Sequence, residues 1–80
     1  MPYIKQENRA KAEISPTNPG ELNYAFTQLI NYYWGLDPNY QSINDIIGAL
    51  EGAKMEFYRR VAVPYEEQKI KENGDVYDVR

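Results

Sequence analysis

Residues 39–63 read NYQSINDIIGALEGAKMEFYRRVAV, and this stretch decides the fold. Ile43, Ile46, Ile47, Leu50, Ala53, Phe57 and Val61 recur at spacings of three and four, the period of one helix face rather than of a strand. Asn39, or Ser42 with Asp45 three residues on, can cap its start. Pro64 is expected to end or kink it, because proline has no N–H and its ring crowds the carbonyl four residues back. Inside lie Gly48 and Gly52, each costing about 1 kcal/mol relative to alanine. That cost points to close approach of another backbone. It can come from a neighbouring helix of the same chain, with Tyr32 and Trp34 over the glycines, or from a second subunit.

Upstream, Leu22, Phe26, Leu29, Ile30 and Tyr33 repeat the helical spacing. Asn18 suits an N-cap, with Pro19 at the first helical position and Glu21 three residues after the cap. Gly35 suits a C-terminal cap, and Asp37-Pro38-Asn39 a tight turn. Two periodic helices joined by so short a connection predict an antiparallel hairpin. Before it, Ser15-Pro16-Thr17-Asn18-Pro19-Gly20 is a linker, and the polar segment from Pro2 to Glu13 is a short helix or an arm. Downstream, Asn73-Gly74 between Lys69-Ile70-Lys71 and Val76-Tyr77 is the signature of a two-residue β-turn, so this end is expected to form a hairpin or, undocked, a tail. The expectation is a mainly all-α protein, a single domain over residues 1–80, with an N-terminal helix or arm (1–14), a helical hairpin (18–63) and a C-terminal hairpin or tail (65–80).

Composition narrows the chemistry. Eighty residues support one modest core, and without cysteine or histidine the chain has no disulfide, thiolate or imidazole to staple it. Self-association is the staple that remains, so a homo-oligomer is expected. The same absences remove the commonest general base, the thiol nucleophile and the usual transition-metal ligands. With no phosphate loop or nucleophile motif, an enzyme, a cofactor and a metal are not expected. A net charge of −3 opposes general nucleic-acid binding. No signal region or long apolar run argues for export or membrane insertion, which predicts a cytoplasmic protein.

Charge is unevenly distributed. No cation occurs between Lys11 and Lys54, whereas Lys54, Arg59, Arg60, Lys69 and Lys71 follow closely. Lys54 and Tyr58 share a helical face flanked by Arg59 and Arg60, and an arginine fork matches a phosphate or carboxylate. With Tyr65 these residues form the candidate anion site. The alternative is salt bridging to Glu51, Glu56, Glu66 or Glu67. Eight tyrosines and one tryptophan suit interfaces or base stacking as well as packing. Tyr32, Tyr33, Trp34 and Tyr40, with Gly48 and Gly52, are the candidate interface.

Gly20-Glu21-Leu22-Asn23-Tyr24, the run from Tyr40 to Glu51, Glu56-Phe57-Tyr58-Arg59-Arg60-Val61 with Pro64-Tyr65-Glu66, and the closing run from Lys69 to Tyr77 together resemble a family of short uncharacterised proteins of tailed phages and prophages. The opening Met1-Pro2-Tyr3-Ile4-Lys5 fits as well, so the resemblance covers nearly the whole chain. It implies a viral setting, in the cytoplasm of a bacterial host, and no particular activity. In size, helical layout and expected oligomerisation the chain also looks similar to small phage sponges that sequester cyclic nucleotide signals of bacterial immunity, without matching a sponge motif. Two expectations follow. One is an oligomeric accessory protein holding an anionic, nucleotide-like ligand at Lys54, Tyr58, Arg59, Arg60 and Tyr65. The other is an interaction module that presents its aromatics to a host or virion protein.

Overall fold

The computed structural model describes residues 2–78. These are mainly helical, and no strand occurs among them. A 3-10 turn at Gln6–Asn8 leads into α1 (Arg9–Ile14), followed by α2 (Pro19–Leu36) and α3 (Tyr40–Phe57). A π-helical segment at Tyr58–Ala62 then passes directly into α4 (Val63–Asn73). None of the described helices is long and apolar enough to cross a membrane. The chain divides into two compact units, within residues 1–46 and 47–80.

In the first unit, local chemistry sets each helix start. Asn18 is extended, and its Oδ1 accepts from the Glu21 N–H at 2.9 Å with Pro19 entering the helix, as its sequence implies. Asn39, not Ser42, caps α3: Asn39 Oδ1 accepts from the Ser42 N–H at 2.9 Å. Ser42 instead donates through Oγ to the Asp37 carbonyl at 2.6 Å and is buried there, tying the α2–α3 turn together. Helix α2 continues through Gly35 to Leu36, two residues beyond Trp34, with Asp37 as its C-cap. Replacing Asn18 by alanine should cost about 1 kcal/mol of stability, read as a lower midpoint in urea. An unchanged midpoint would show that Pro19 alone fixes the helix start.

Helix α1 docks on α2 through a small, well-bonded contact. Ala12 is fully buried, the one apolar residue among those described to be so. Lys11 Nζ donates to Glu21 Oε1 at 2.7 Å and to Thr17 Oγ1 at 2.8 Å. Glu21 Oε1 also accepts from the Thr17 N–H at 3.0 Å, so the carboxylate reaches back to the residue before the cap rather than to the cap itself. Arg9 lies over the Tyr24 ring, 5.8 Å from its centre, and its Nε donates to the Ile4 carbonyl at 3.2 Å.

In the second unit two sequence expectations are corrected. Pro64 does not end the helix. The preceding π turn, in which the Val63 N–H donates to the Tyr58 carbonyl, widens the backbone where the proline ring would crowd Arg60, and Pro64 then occupies the first turn of α4. Nor does residues 69–77 form a β-hairpin, since α4 runs through Asn73. Gly74, at φ 86°, is its C-terminal cap, with its N–H donating to the Ile70 carbonyl at 2.8 Å. A glycine with positive φ serves a β-turn and a helix cap equally. Here Glu66-Glu67-Gln68-Lys69 are helix formers, Gln68 and Lys69 both reach Glu72, and no strand occurs among the described residues to support a hairpin. After Gly74 the described chain is a short tail in which the Tyr77 N–H donates to Asp75 Oδ1 at 2.9 Å.

Candidate functional site

The candidate anion-binding residues all lie on exposed helical surface, and their charges already have partners. Lys54 Nζ stands 3.7 Å from Glu51, one helical turn away. Arg59 Nη2 donates to both oxygens of Glu56, at 3.0 and 3.1 Å, while Arg60 Nη1 sits 3.5 Å from the same carboxylate. Arg59 and Arg60 belong to the π segment and Lys54 to α3. Tyr58 is exposed, and the exposed Tyr65 ring lies under Lys69, whose Nζ is 5.5 Å from the ring centre. The geometry is that of solvated i,i+3 and i,i+4 pairs, each contributing a few tenths of a kcal/mol. One asymmetry remains: two guanidinium groups share a single carboxylate.

Of the candidate interface residues, Tyr32 and Tyr40 are freely exposed and Tyr33 and Trp34 partly so. Gly48 and Gly52 stand in open space, since a Cβ built on either meets no atom within 4 Å. Neither glycine is required by backbone conformation, because the only positive φ among the described residues is at Gly74.

A concave feature of the first unit lies at the α2–α3 turn. It is a shallow cavity of about 220 Å³ with Tyr33, Leu36, Asp37, Ser42 and Asp45 in its walls. Tyr33 donates its phenol proton to Asp45 Oδ2 at 2.9 Å, and Gln41 Nε2 donates to Asp45 Oδ1 at 2.8 Å. The Gln41 bond, then the Tyr33 bond, holds the Asp45 carboxyl below its ordinary range, and the same carboxylate raises the Tyr33 phenol. Sequence reasoning placed Tyr33 at an interface but not Asp45 or Gln41. The i,i+4 spacing of Gln41 and Asp45 was a legible signal, whereas the bond from Tyr33 crosses a turn whose geometry no local pattern states.

The larger finding is apolar. Leu22, Phe26, Leu29, Tyr33 and Leu36 in α2 are all substantially exposed, Leu29 at 69% and Leu36 at 64%, and Ile43, Ile47, Leu50 and Phe57 in α3 are exposed as well. These are the stripes that sequence periodicity places on one face of each helix. No curated protein and no solved structure shows significant similarity to the chain. Residues 1–76 match the family model described as "Domain of unknown function (DUF6899)", and the chain belongs to that family.

Proposed function

We propose that this protein is a non-enzymatic, self-associating interaction module, an accessory protein whose helical faces are completed by other chains. The observation that carries this reading is the near-absence of buried apolar side chains. Ala12 alone qualifies among the described residues, while Leu22, Phe26, Leu29 and Tyr33 of α2 and Ile43, Ile47, Leu50 and Phe57 of α3 are exposed. Large apolar side chains left exposed at helical spacing mark association. Homo-oligomerisation accounts for it most economically, because a chain of one sequence always has its own matching face at hand. Tyr32, Trp34 and Tyr40 then remain as aromatic contacts for a host or virion protein, a target class supported by the resemblance to short phage proteins. That resemblance also supports a working place in the cytoplasm of a bacterial host. Gly48 and Gly52, unencumbered within the chain, suit close helix approach by a partner.

Native mass spectrometry against the denatured mass, with sedimentation equilibrium at micromolar concentration, tests the reading. An integral multiple of the chain mass is expected. A stable monomer with cooperative unfolding would overturn self-association.

A second reading, retention of an anionic nucleotide-like ligand, is favoured by the shared Glu56 carboxylate: Arg59 and Arg60 keep one positive charge uncancelled beside Tyr58. Double substitution of Arg59 and Arg60 by alanine should then lower affinity for a cyclic dinucleotide at least about a hundredfold, the loss of two charge-assisted contacts, without altering the oligomeric mass. Equal binding by the variant and the unsubstituted protein would remove the site.

A further inference from the structure

We infer that a second copy of this chain docks along α2 in antiparallel orientation, with the two-fold axis passing beside Leu29. This rests on the self-association proposed above and specifies its face and direction. Leu22, Phe26, Leu29, Tyr33 and Leu36 are spaced four, three, four and three residues apart, the seam of a two-helix coiled coil. All five are exposed. Helix α1 leaves the seam open because it docks on another side of α2, through Glu21 and Tyr24.

The occupant is another α2 rather than a charged partner because the seam carries no charge. Between Glu21 and Asp37 no ionisable side chain occurs except tyrosines. A chain of net charge −3 therefore pairs here without self-repulsion, and an isologous contact needs only an identical face.

Charge at the two ends of α2 sets the direction. Before α2 the described chain carries Lys5, Arg9 and Lys11 against Glu7 and Glu13, and Lys11 closes on Glu21, so the charges at this end balance. At its C-terminal end stand Asp37 and Asp45, and the bonds held by Asp45 come from Tyr33 and Gln41 rather than from a cation. Parallel pairing would bring Asp37 and Asp45 of both copies to the same end. Antiparallel pairing about Leu29 sets Glu21, with its Lys11, level with Asp37 of the second copy, and does so twice. It also sets Leu22 of the second copy level with Leu36, at the rim of the shallow cavity walled by Tyr33, Leu36 and Ser42, where a parallel pair would oppose two concavities. The helix dipoles favour the same direction.

The absence of cysteine makes disulfide mapping clean. Under mild oxidation Leu29→Cys should cross-link with itself. Leu22→Cys and Leu36→Cys should not cross-link alone but should when mixed, since a disulfide needs Cα atoms within about 7 Å. The unsubstituted protein supplies an independent measurement: in a mixture of ¹⁴N- and ¹⁵N-labelled chains, a zero-length carbodiimide should join Lys5 or Lys11 of one isotope to Asp37 or Asp45 of the other. Self-cross-linking of Leu22→Cys and Leu36→Cys would establish a parallel pair and overturn the inference. So would an oligomeric mass with neither the Leu29→Cys disulfide nor a mixed-isotope link, leaving self-association through another face. A monomeric mass would overturn both.

Discussion

Leu29→Glu should convert the associated protein into monomers. At the axis of an antiparallel α2 pair the substitution acts twice, removing two leucines from the seam and setting two carboxylates against each other. Burial of a leucine contributes about 1.5–3 kcal/mol, so the double loss is about 4 kcal/mol even before repulsion, close to a thousandfold in the dissociation constant. Glutamate is as good a helix former as leucine, so the far-UV circular dichroism of α2 should persist and separate lost association from unfolding. Sedimentation equilibrium decides the matter. A mass that stays oligomeric at low micromolar protein would mean that the association uses α3, whose exposed Ile47, Leu50 and Phe57 offer the alternative face. The seam is neutral and the charges before α2 balance, so raising ionic strength should leave the unsubstituted pair associated.

The elements of this fold were legible wherever local chemistry alone specifies them. The Asn18-Pro19 start of α2 and the helical periods of α2 and α3 follow from side chains that act within one or two turns. The misreadings share a cause. Asn73-Gly74 permits positive φ in either a β-turn or a helix cap, and the choice lay in the helix-forming residues before it. Pro64 reads as a stop or a kink because its ring crowds the carbonyl four residues back, and the π turn that admits it, over Tyr58–Ala62, leaves no mark in periodicity. The candidate anion site illustrates a different limit. Lys54, Arg59 and Arg60 were identifiable as a cluster, yet whether such cations face a ligand or a carboxylate depends on rotamers, and Glu51 and Glu56 stand at the spacings that reach them. The apolar stripes were read correctly as stripes. A period identifies a face to be covered and says nothing about whether the cover comes from the same chain.

The docking of α1 on α2 should respond to acid with a midpoint far below that of an ordinary carboxylate. Glu21 is held down to about 2, from an ordinary 4.5, first by the hydrogen bond from Lys11 and then by the Thr17 N–H. Since the charged form is the one bonded in the folded chain, its contribution is fully present above about 4.5 and is lost as the pH falls through about 2. The Thr17 amide proton, which donates directly to Glu21 Oε1, reports this without ambiguity. Its chemical shift should titrate with a midpoint near 2, together with the Ala12 amide, whereas a midpoint near 4.5 would mean that the Lys11–Glu21 pair does not persist in solution. Glu21→Gln keeps the acceptor oxygen and removes the charge, so it should abolish that titration and leave α1 less protected from hydrogen exchange at neutral pH. Ala12→Leu attacks the same contact by volume. With Ala12 fully buried the added side chain has no space, and overpacking costs about 1–3 kcal/mol, roughly ten- to a hundredfold in the docking equilibrium. Because the contact is small, the strain is relieved by releasing α1, not by distorting α2. In that variant the α1 amides should exchange freely while those of α2 keep their protection, and Lys11 would no longer be held on Glu21. An antiparallel pair that sets Lys11 level with Asp37 of the second copy should therefore weaken as well, so loss of α1 protection and loss of association are expected to appear in the same variant.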